Sequence, residues 1–297
     1  MRVTQGMTAD NALYNLQQGR SRLDQLEEQI SSGLNVNRPS DDPIVTKQIL
    51  DLQDGMDMGT QYQSNITKSN LWLNTANTAL QGMSDIVSQA KGIAGTITSG
   101  SSDQTERDSV VSQLTELKKQ LVDMGNTQLG DQYIFAGFKN SSPPFSTSNN
   151  NYGGSSDDIN VEINKNSQET INITGDNLLK GTGTYGSVDI LDTFDKLIAA
   201  VNGNNASDIQ KQAANLDSAA TQIDNATSDV AAKMTRLNSV SNLISQSQNN
   251  MQNMLSNTQN VDYTKAAVEL TQQQTAFQAA LSATAKITQL SLLDYIS

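Results

Sequence analysis

Few residues in this 297-residue chain could carry chemistry, because it contains neither histidine nor cysteine. This composition excludes Ser-His-Asp and Cys-His catalysis, metal sites built on imidazole or thiolate, and disulfide bonds. Carboxylate pairs are the main remaining candidates. Asp41 and Asp42 lie in a proline-bounded turn, where adjacent carboxylates usually form a turn and a helix cap. Asp157 and Asp158 lack the spacing of a calcium-binding loop, which favours a solvated loop.

Two other motifs do not qualify as binding sites, because the residues around them lack the required pattern. The glycine-rich segment 181–186 lacks the Lys-Ser/Thr ending of a phosphate-binding loop and has no apolar strand before it, so we interpret it as a linker. Lys118 and Lys119 form an isolated basic pair, which is typical of a solvated helix face. We therefore predict no catalytic residue, no cofactor and no metal site, and a protein that is not an enzyme.

Charge and hydropathy exclude two classes of partner. The 19 basic and 31 acidic residues give a net charge of −12, whereas nucleic-acid-binding proteins collect Lys and Arg on one face. No apolar run approaches the roughly 18 residues of a membrane-spanning helix. The N-terminus has no apolar core of a signal peptide, so we expect no cleavable signal and, if the protein is secreted, export with this end intact.

Apolar residues at seven-residue spacing predict two long helices. One series runs without a gap from Ile209 to Met251, and the other runs from Val45 to Ala94 with a single gap at Gly59. Asp42 followed by Pro43 is a typical helix start. The segment 98–102, rich in serine and glycine, predicts the end of this first long helix.

A third helix is predicted to start at Asp103, three residues before Glu106, in the manner of a capping box. Three such helices can bury their apolar stripes only against one another, so we predict an elongated, antiparallel, coiled-coil-like bundle built from both halves of the chain. The core of this rod is predicted to comprise Leu73, Leu80, Val87, Leu114, Leu121, Leu216, Ile223, Val230, Leu237 and Ile244.

The composition changes between residues 131 and 188, where Gly, Asn, Ser and Thr dominate. Residues 159–163 alternate apolar and polar side chains, residues 164–167 have turn chemistry, and residues 171–173 alternate again. This pattern predicts a small β domain containing a hairpin. A short helix over 188–201 then leads back to the rod.

The fold class is therefore α+β and mainly α, with a small inserted β domain. The predicted domains are an N-terminal assembly helix and turn at 1–42, a rod at 43–130 and 189–260, a β-rich domain at 131–188, and a C-terminal assembly helix at 261–297.

Both chain ends carry amphipathic helical stripes, although chain ends are usually polar and frayed. Periodicity leaves open whether they pair with each other within the monomer or with other subunits. We predict that they form the assembly interface and that residues 1–42 are largely disordered in the free monomer. The predicted interface comprises Leu13, Leu16, Leu23, Leu26, Ile30, Leu270, Phe277, Leu281, Ile287, Leu290 and Leu293.

Several motifs near the two ends resemble the flagellin superfamily. They are Gln-Ile-Ser-Ser-Gly at 29–33, Arg-Pro-Ser-Asp-Asp-Pro at 38–43, Gln-Tyr-Gln-Ser-Asn-Ile at 61–66, Trp-Leu-Asn-Thr-Ala at 72–76 and Tyr-Ile-Phe-Ala-Gly at 133–137. The Pro-Ser-Asp-Asp-Pro form, with the C-terminal Ser-Leu-Leu-Asp-Tyr-Ile at 291–296, resembles the members that join the flagellar hook to the filament. The resemblance is weak through 145–190.

This resemblance implies a structural subunit of the bacterial flagellum that is exported unfolded and polymerises through its terminal helices. The implied partners are other copies of the chain, another hook-associated protein on the hook side, flagellin on the filament side, and an export chaperone at the C-terminal helix. Two alternatives remain, namely a flagellin that forms the filament itself and a secreted coiled-coil adhesin or effector.

Overall fold

The computed structural model describes residues 5–97, 103–146 and 150–296, with the side chains of residues 5, 6, 8, 9 and 287–296 outside that description. Most of the described chain is helical. The α-helices are α1 (Gln5–Ser32), α2 (Pro43–Ile97), α3 (Gln104–Gly125), α4 (Ile190–Asn202), α5 (Ala206–Gln259) and α6 (Tyr263–Ile296). The prediction of a mainly helical α+β chain is confirmed. No helix within the described ranges is long and apolar enough to span a bilayer.

The chain divides into two compact units, and α2 and α5 each contribute to both. The terminal unit consists of Met1–Met58 and Gln246–Ser297, and the central unit consists of Gly59–Ser245. The division predicted from the sequence follows helix starts, heptad series and composition along the chain, and it stays a prediction.

Local sequence explains where the helices begin. Oδ1 of Asp42 accepts hydrogen bonds of 3.0 Å from the backbone N–H groups of Ile44 and Val45, so it caps α2 as the Asp-Pro pair predicts. Asp103 caps α3, with Oδ1 2.7 Å from the N–H of Gln104. Helix α2 ends at Ile97, and the predicted stop at 98–102 lies outside the described residues.

The central unit holds the main hydrophobic core, formed by α2, α3, α4, α5 and residues 131–188, here called the inserted segment. Helices α2 and α5 run antiparallel there, since the Gln63 side chain donates to the Ser241 carbonyl at 2.7 Å while Lys91 pairs with Asp217. The ten stripe residues predicted as rod core are all at most 6% exposed: Leu73, Leu80, Val87, Leu114, Leu121, Leu216, Ile223, Val230, Leu237 and Ile244.

The described residues contain two small antiparallel strand pairs and two isolated β-bridges. Strand β1 (Gln128–Leu129) pairs with β2 (Gln132–Tyr133), and β3 (Asn160–Asn164) pairs with β4 (Ser167–Thr170). The predicted turn at 164–167 joins β3 to β4, with Asn166 in the left-handed region at φ 61°. The second strand lies before residues 171–173, because this tight turn sets the register.

One buried polar side chain holds the inserted segment against α5. Nε2 of Gln222, which is 1% exposed, donates to the carbonyls of Leu178 at 2.6 Å and Val188 at 3.0 Å, and Oε1 accepts from the Val188 N–H at 3.1 Å. Leu178 lies in a π-helical turn, Asp176–Lys180. A Cβ on Gly186 would approach Oε1 of Gln222 to 2.3 Å, so only glycine fits there.

Candidate assembly surface

Helices α1 and α6 pack side by side in the terminal unit. Gly19 lies against the Phe277 ring, since a Cβ at Gly19 would come within 3.2 Å of it, and Leu26 is only 3% exposed. Arg22 and Glu269 add an exposed ion pair at 4.0 Å, whose contribution to stability is small. Within this chain the two terminal stripes therefore partly cover each other.

A clasp, here defined as residues 33–35 with 259–263, ties the two interhelical turns of the terminal unit together. The Asn35 N–H donates to the Gln259 carbonyl at 2.7 Å, and the Val261 N–H donates to the Gly33 carbonyl at 2.9 Å. Gly33 has φ +75°, and a Cβ there would lie 2.7 Å from the Tyr263 hydroxyl. Glycine is thus required by both backbone conformation and space.

The terminal unit exposes most of the large apolar side chains that the described surface shows. Its exposed members are Met7, Leu13, Tyr14, Ile44, Leu50, Met58, Met254, Tyr263, Val268 and Leu281, whereas the central unit exposes Leu71, Phe138 and Leu243. The buried apolar side chains of the terminal unit are only Leu26, Ile49, Leu255 and Ala266 among those described. Contiguous apolar surface marks protein–protein contacts, whereas single exposed apolar residues are common on any protein, so it is the imbalance between the two units that we carry forward.

The structure distributes the predicted interface residues over three environments. Leu13 and Leu281 are 55% and 46% exposed, and Leu26 is buried within the chain. The half-buried residues are Leu16, Leu23, Ile30, Leu270 and Phe277. The side chains of Ile287, Leu290 and Leu293 lie outside the described residues.

Sequence reasoning missed several of the exposed apolar residues. Ile44 is 80% exposed, Val268 63% and Leu50 58%, and none of them is among the stripe residues chosen as the interface. Stripe analysis selects the side of a helix that is buried, so it overlooks apolar residues on the opposite side. Large apolar residues that interrupt the polar face would have been the signal.

Polar side chains of residues 131–188 make contacts with α5. Among the described residues there is no group of three or more His, Cys, Asp or Glu side chains that could hold a metal ion. Tyr185 donates a 2.8 Å hydrogen bond to Asp229, and burial, followed by this bond, raises the pKa of the phenol. Glu169 is 8% exposed, and its Oε2 lies 3.1 Å from Nη1 of Arg236. These contacts join the inserted segment to α5.

Comparisons with known proteins match both halves of the chain to one family. Residues 3–140 match the bacterial flagellin N-terminal helical region, and residues 213–296 match the bacterial flagellin C-terminal helical region. The flagellar hook-associated protein 3 of Escherichia coli (strain K12) is 25% identical over 287 residues, covering 90% of each chain. The protein of that name from Salmonella typhimurium is 23% identical over 300 residues, covering 94% of each.

A solved structure supports the fold independently. The flagellar hook-associated protein from Vibrio parahaemolyticus superposes with a TM-score of 0.67 at 20% identity, covering 74% of this chain and all of the other. The Asp-Pro helix start, the paired terminal helices and both flagellin regions thus occur in one chain. The chain therefore belongs to the bacterial flagellin family, and its relatives in Escherichia coli and Salmonella typhimurium are named flagellar hook-associated protein 3.

Proposed function

We propose that this protein is a structural subunit of the bacterial flagellum that forms the junction layer between the hook and the filament. The observation that carries the proposal is the unequal distribution of apolar residues in a chain of this family. Ile44, Leu50 and Val268 leave the terminal unit with exposed apolar side chains, while the central unit has a closed core.

The terminal unit needs neighbours to bury this surface. Of its described apolar side chains only Leu26, Ile49, Leu255 and Ala266 are buried, so much of its apolar surface stays in contact with water. Contact with other subunits would supply the missing burial. A head-to-tail contact that does not close on itself generates a helical layer.

The interface residues predicted from the sequence remain part of this proposal. Leu13 and Leu281 offer exposed apolar contacts, and the half-buried stripe residues would become fully covered when a neighbour packs on the α1–α6 pair. We add Ile44 and Val268 to this interface because of their exposure.

The partners follow from the position proposed. They are other copies of this chain, another hook-associated protein towards the hook, and flagellin towards the filament. Before assembly the chain would be exported unfolded, with a small cytoplasmic chaperone covering α6. The mature subunit would lie outside the cell at the hook–filament junction, with no catalytic role.

Deletion of the gene tests the position directly. We expect electron microscopy to show bare hooks while a separate flagellin accumulates in the culture medium, because filament subunits would have nothing to grow on. Bare hooks without any other flagellin would instead identify this chain as the filament subunit. Intact filaments would contradict both and favour the adhesin or effector.

Complementation of the deletion tests the surface. Val268→Asp places a charge at a site of α6 that is 63% exposed, and Leu71→Asp places the same charge at a site of the central unit that is 55% exposed. We expect V268D to lower the number of filaments per cell at least tenfold and L71D to restore them. Equal restoration by both variants, at equal secreted amounts, would contradict an interface on the terminal unit.

A further inference from the structure

The parts of α2 and α5 that belong to the terminal unit are rich in methionine. Met56 and Met58 lie on α2, and Met251 and Met254 lie on α5, so these two short stretches hold four of the nine methionines of the chain. Met58 and Met254 are 39% and 50% exposed. Their proximity to solvent distinguishes them from Met83 in the central core, which is fully buried.

Among these methionines, Met251 lies against a glycine on the facing helix. A Cβ on Gly55 would come within 2.8 Å of the Met251 sulfur, closer than non-bonded atoms approach. The thioether therefore fills the space that a side chain at position 55 would take. One turn away, the Gln248 side chain donates to the Met56 carbonyl at 3.2 Å, so the helices are in direct contact here.

We propose that Met251 is an oxidation-sensitive modification site, and that its conversion to the sulfoxide by a peroxide opens the α2–α5 contact of the terminal unit. Three observations support this: the side chain is half-buried and so within reach of a small oxidant, its sulfur lies at the helix contact, and Gly55 has no side chain that could compensate for its loss.

The reaction needs only the thioether and hydrogen peroxide. The sulfur attacks one peroxide oxygen, an S–O bond forms and the O–O bond breaks. Sulfur loses two electrons, and the other oxygen leaves as water after taking the proton of the transferred oxygen. The product is a polar, chiral sulfoxide in place of a flexible apolar side chain.

The sulfoxide does not fit the position of the thioether over Gly55, whichever way its oxygen points. If the new oxygen points towards Gly55 it has no room, because the sulfur already occupies the space that a Cβ at position 55 would need. If the oxygen points to water, the side chain leaves the helix contact and a void remains over the glycine. Both results weaken the contact between residues 43–58 and 246–259.

The full-length chain treated with hydrogen peroxide provides the test. Peptide mass spectrometry follows oxidation of each methionine, and hydrogen–deuterium exchange follows residues 43–58 and 246–259, with residues 73–94 as an internal reference. We expect Met251 to oxidise at least tenfold faster than Met83, and exchange in the two terminal-unit segments to rise at least tenfold. Methionine sulfoxide reductases should reverse the change.

Two matched variants separate Met251 from its neighbours. Met251→Leu keeps the volume but cannot form a sulfoxide, and Met254→Leu makes the same change three residues away at a more exposed site. M251L should lose the peroxide response, and M254L should keep it. The proposal is overturned if M251L still responds, if oxidised Met251 leaves exchange unchanged, or if Met251 oxidises as slowly as Met83.

Discussion

Replacing Gln222 by leucine should destabilise the central unit although it keeps the size of the side chain. Gln222 makes three hydrogen bonds to the backbone of the inserted segment, two to Val188 and one to the carbonyl of fully buried Leu178. Leucine can make none of them. The polar groups on the segment would then lose a partner in an environment that water reaches poorly.

The magnitude follows from the burial of each group. The buried Leu178 carbonyl loses its hydrogen-bond partner, which costs about 1–3 kcal/mol. The N–H and carbonyl of half-buried Val188 can bond to water instead, so each costs about 0.5 kcal/mol. Leucine regains about 1 kcal/mol through burial of its apolar side chain. We therefore expect Q222L to lower the free energy of unfolding by about 2 kcal/mol.

Urea denaturation followed by tryptophan fluorescence measures this loss. Trp72 is the only tryptophan of the chain and lies 8% exposed in the central unit, so its signal reports on that unit. Gln210→Leu is the matched control, because Gln210 is exposed on the same helix and its replacement should change stability by less than about 0.5 kcal/mol. If Q222L and Q210L unfold at the same urea concentration, the role given to Gln222 is wrong.

Three further variants test individual contacts. Gly33→Ala should lower the stability of the terminal unit by about 1–3 kcal/mol, because Gly33 has a positive φ and its new Cβ would meet the Tyr263 hydroxyl. Faster hydrogen exchange at residues 29–35 would show this loss, and Tyr263→Ser should relieve part of it. Tyr185→Phe should make stability fall less steeply at alkaline pH. The folded pKa of Tyr185 is raised above 10, so the wild type keeps the stability that the protonated phenol provides below pH 10 and loses it as pH rises towards the folded pKa. Unfolding of both proteins at pH 8 and pH 11 measures the difference. Arg236→Met should lower the free energy of unfolding by about 1–2 kcal/mol, because it leaves the buried Glu169 carboxylate without its cation. The double variant Arg236→Met, Glu169→Gln should regain most of this stability, as urea unfolding can measure.

The helical part of the fold could be predicted from the sequence because its signals are local and repeated. Pro43 after a capping aspartate gives the start of α2, and the heptad series gives the side of each helix that is buried, as the complete burial of Leu80 and Leu216 shows. A seven-residue repeat accumulates over many turns, so isolated exceptions such as Gly59 do not hide it.

The inserted segment was predictable only in outline. Its turn at 164–167 was found from Asn and Ser, but the π-helical turn at Asp176–Lys180 and the role of Gln222 depend on contacts between residues far apart in sequence. Gln222 stands beside Ile223 of the heptad series and looks like any polar residue flanking a stripe. Nothing local shows that its amide serves three backbone groups.

The assembly surface is difficult to predict for a related reason. Heptad analysis finds apolar residues that share a side, and in the terminal unit that side is already partly used by the contact between α1 and α6, as buried Leu26 shows. The exposed residues that remain available to partners, such as Ile44 and Val268, therefore lie outside the positions that the repeat selects. If assembly depends on them, a variant that removes only the heptad stripe of α1 should weaken the α1–α6 pair, whereas a variant at Ile44 or Val268 should leave that pair intact and still block incorporation. Hydrogen exchange of the free chain together with filament counts distinguishes the two.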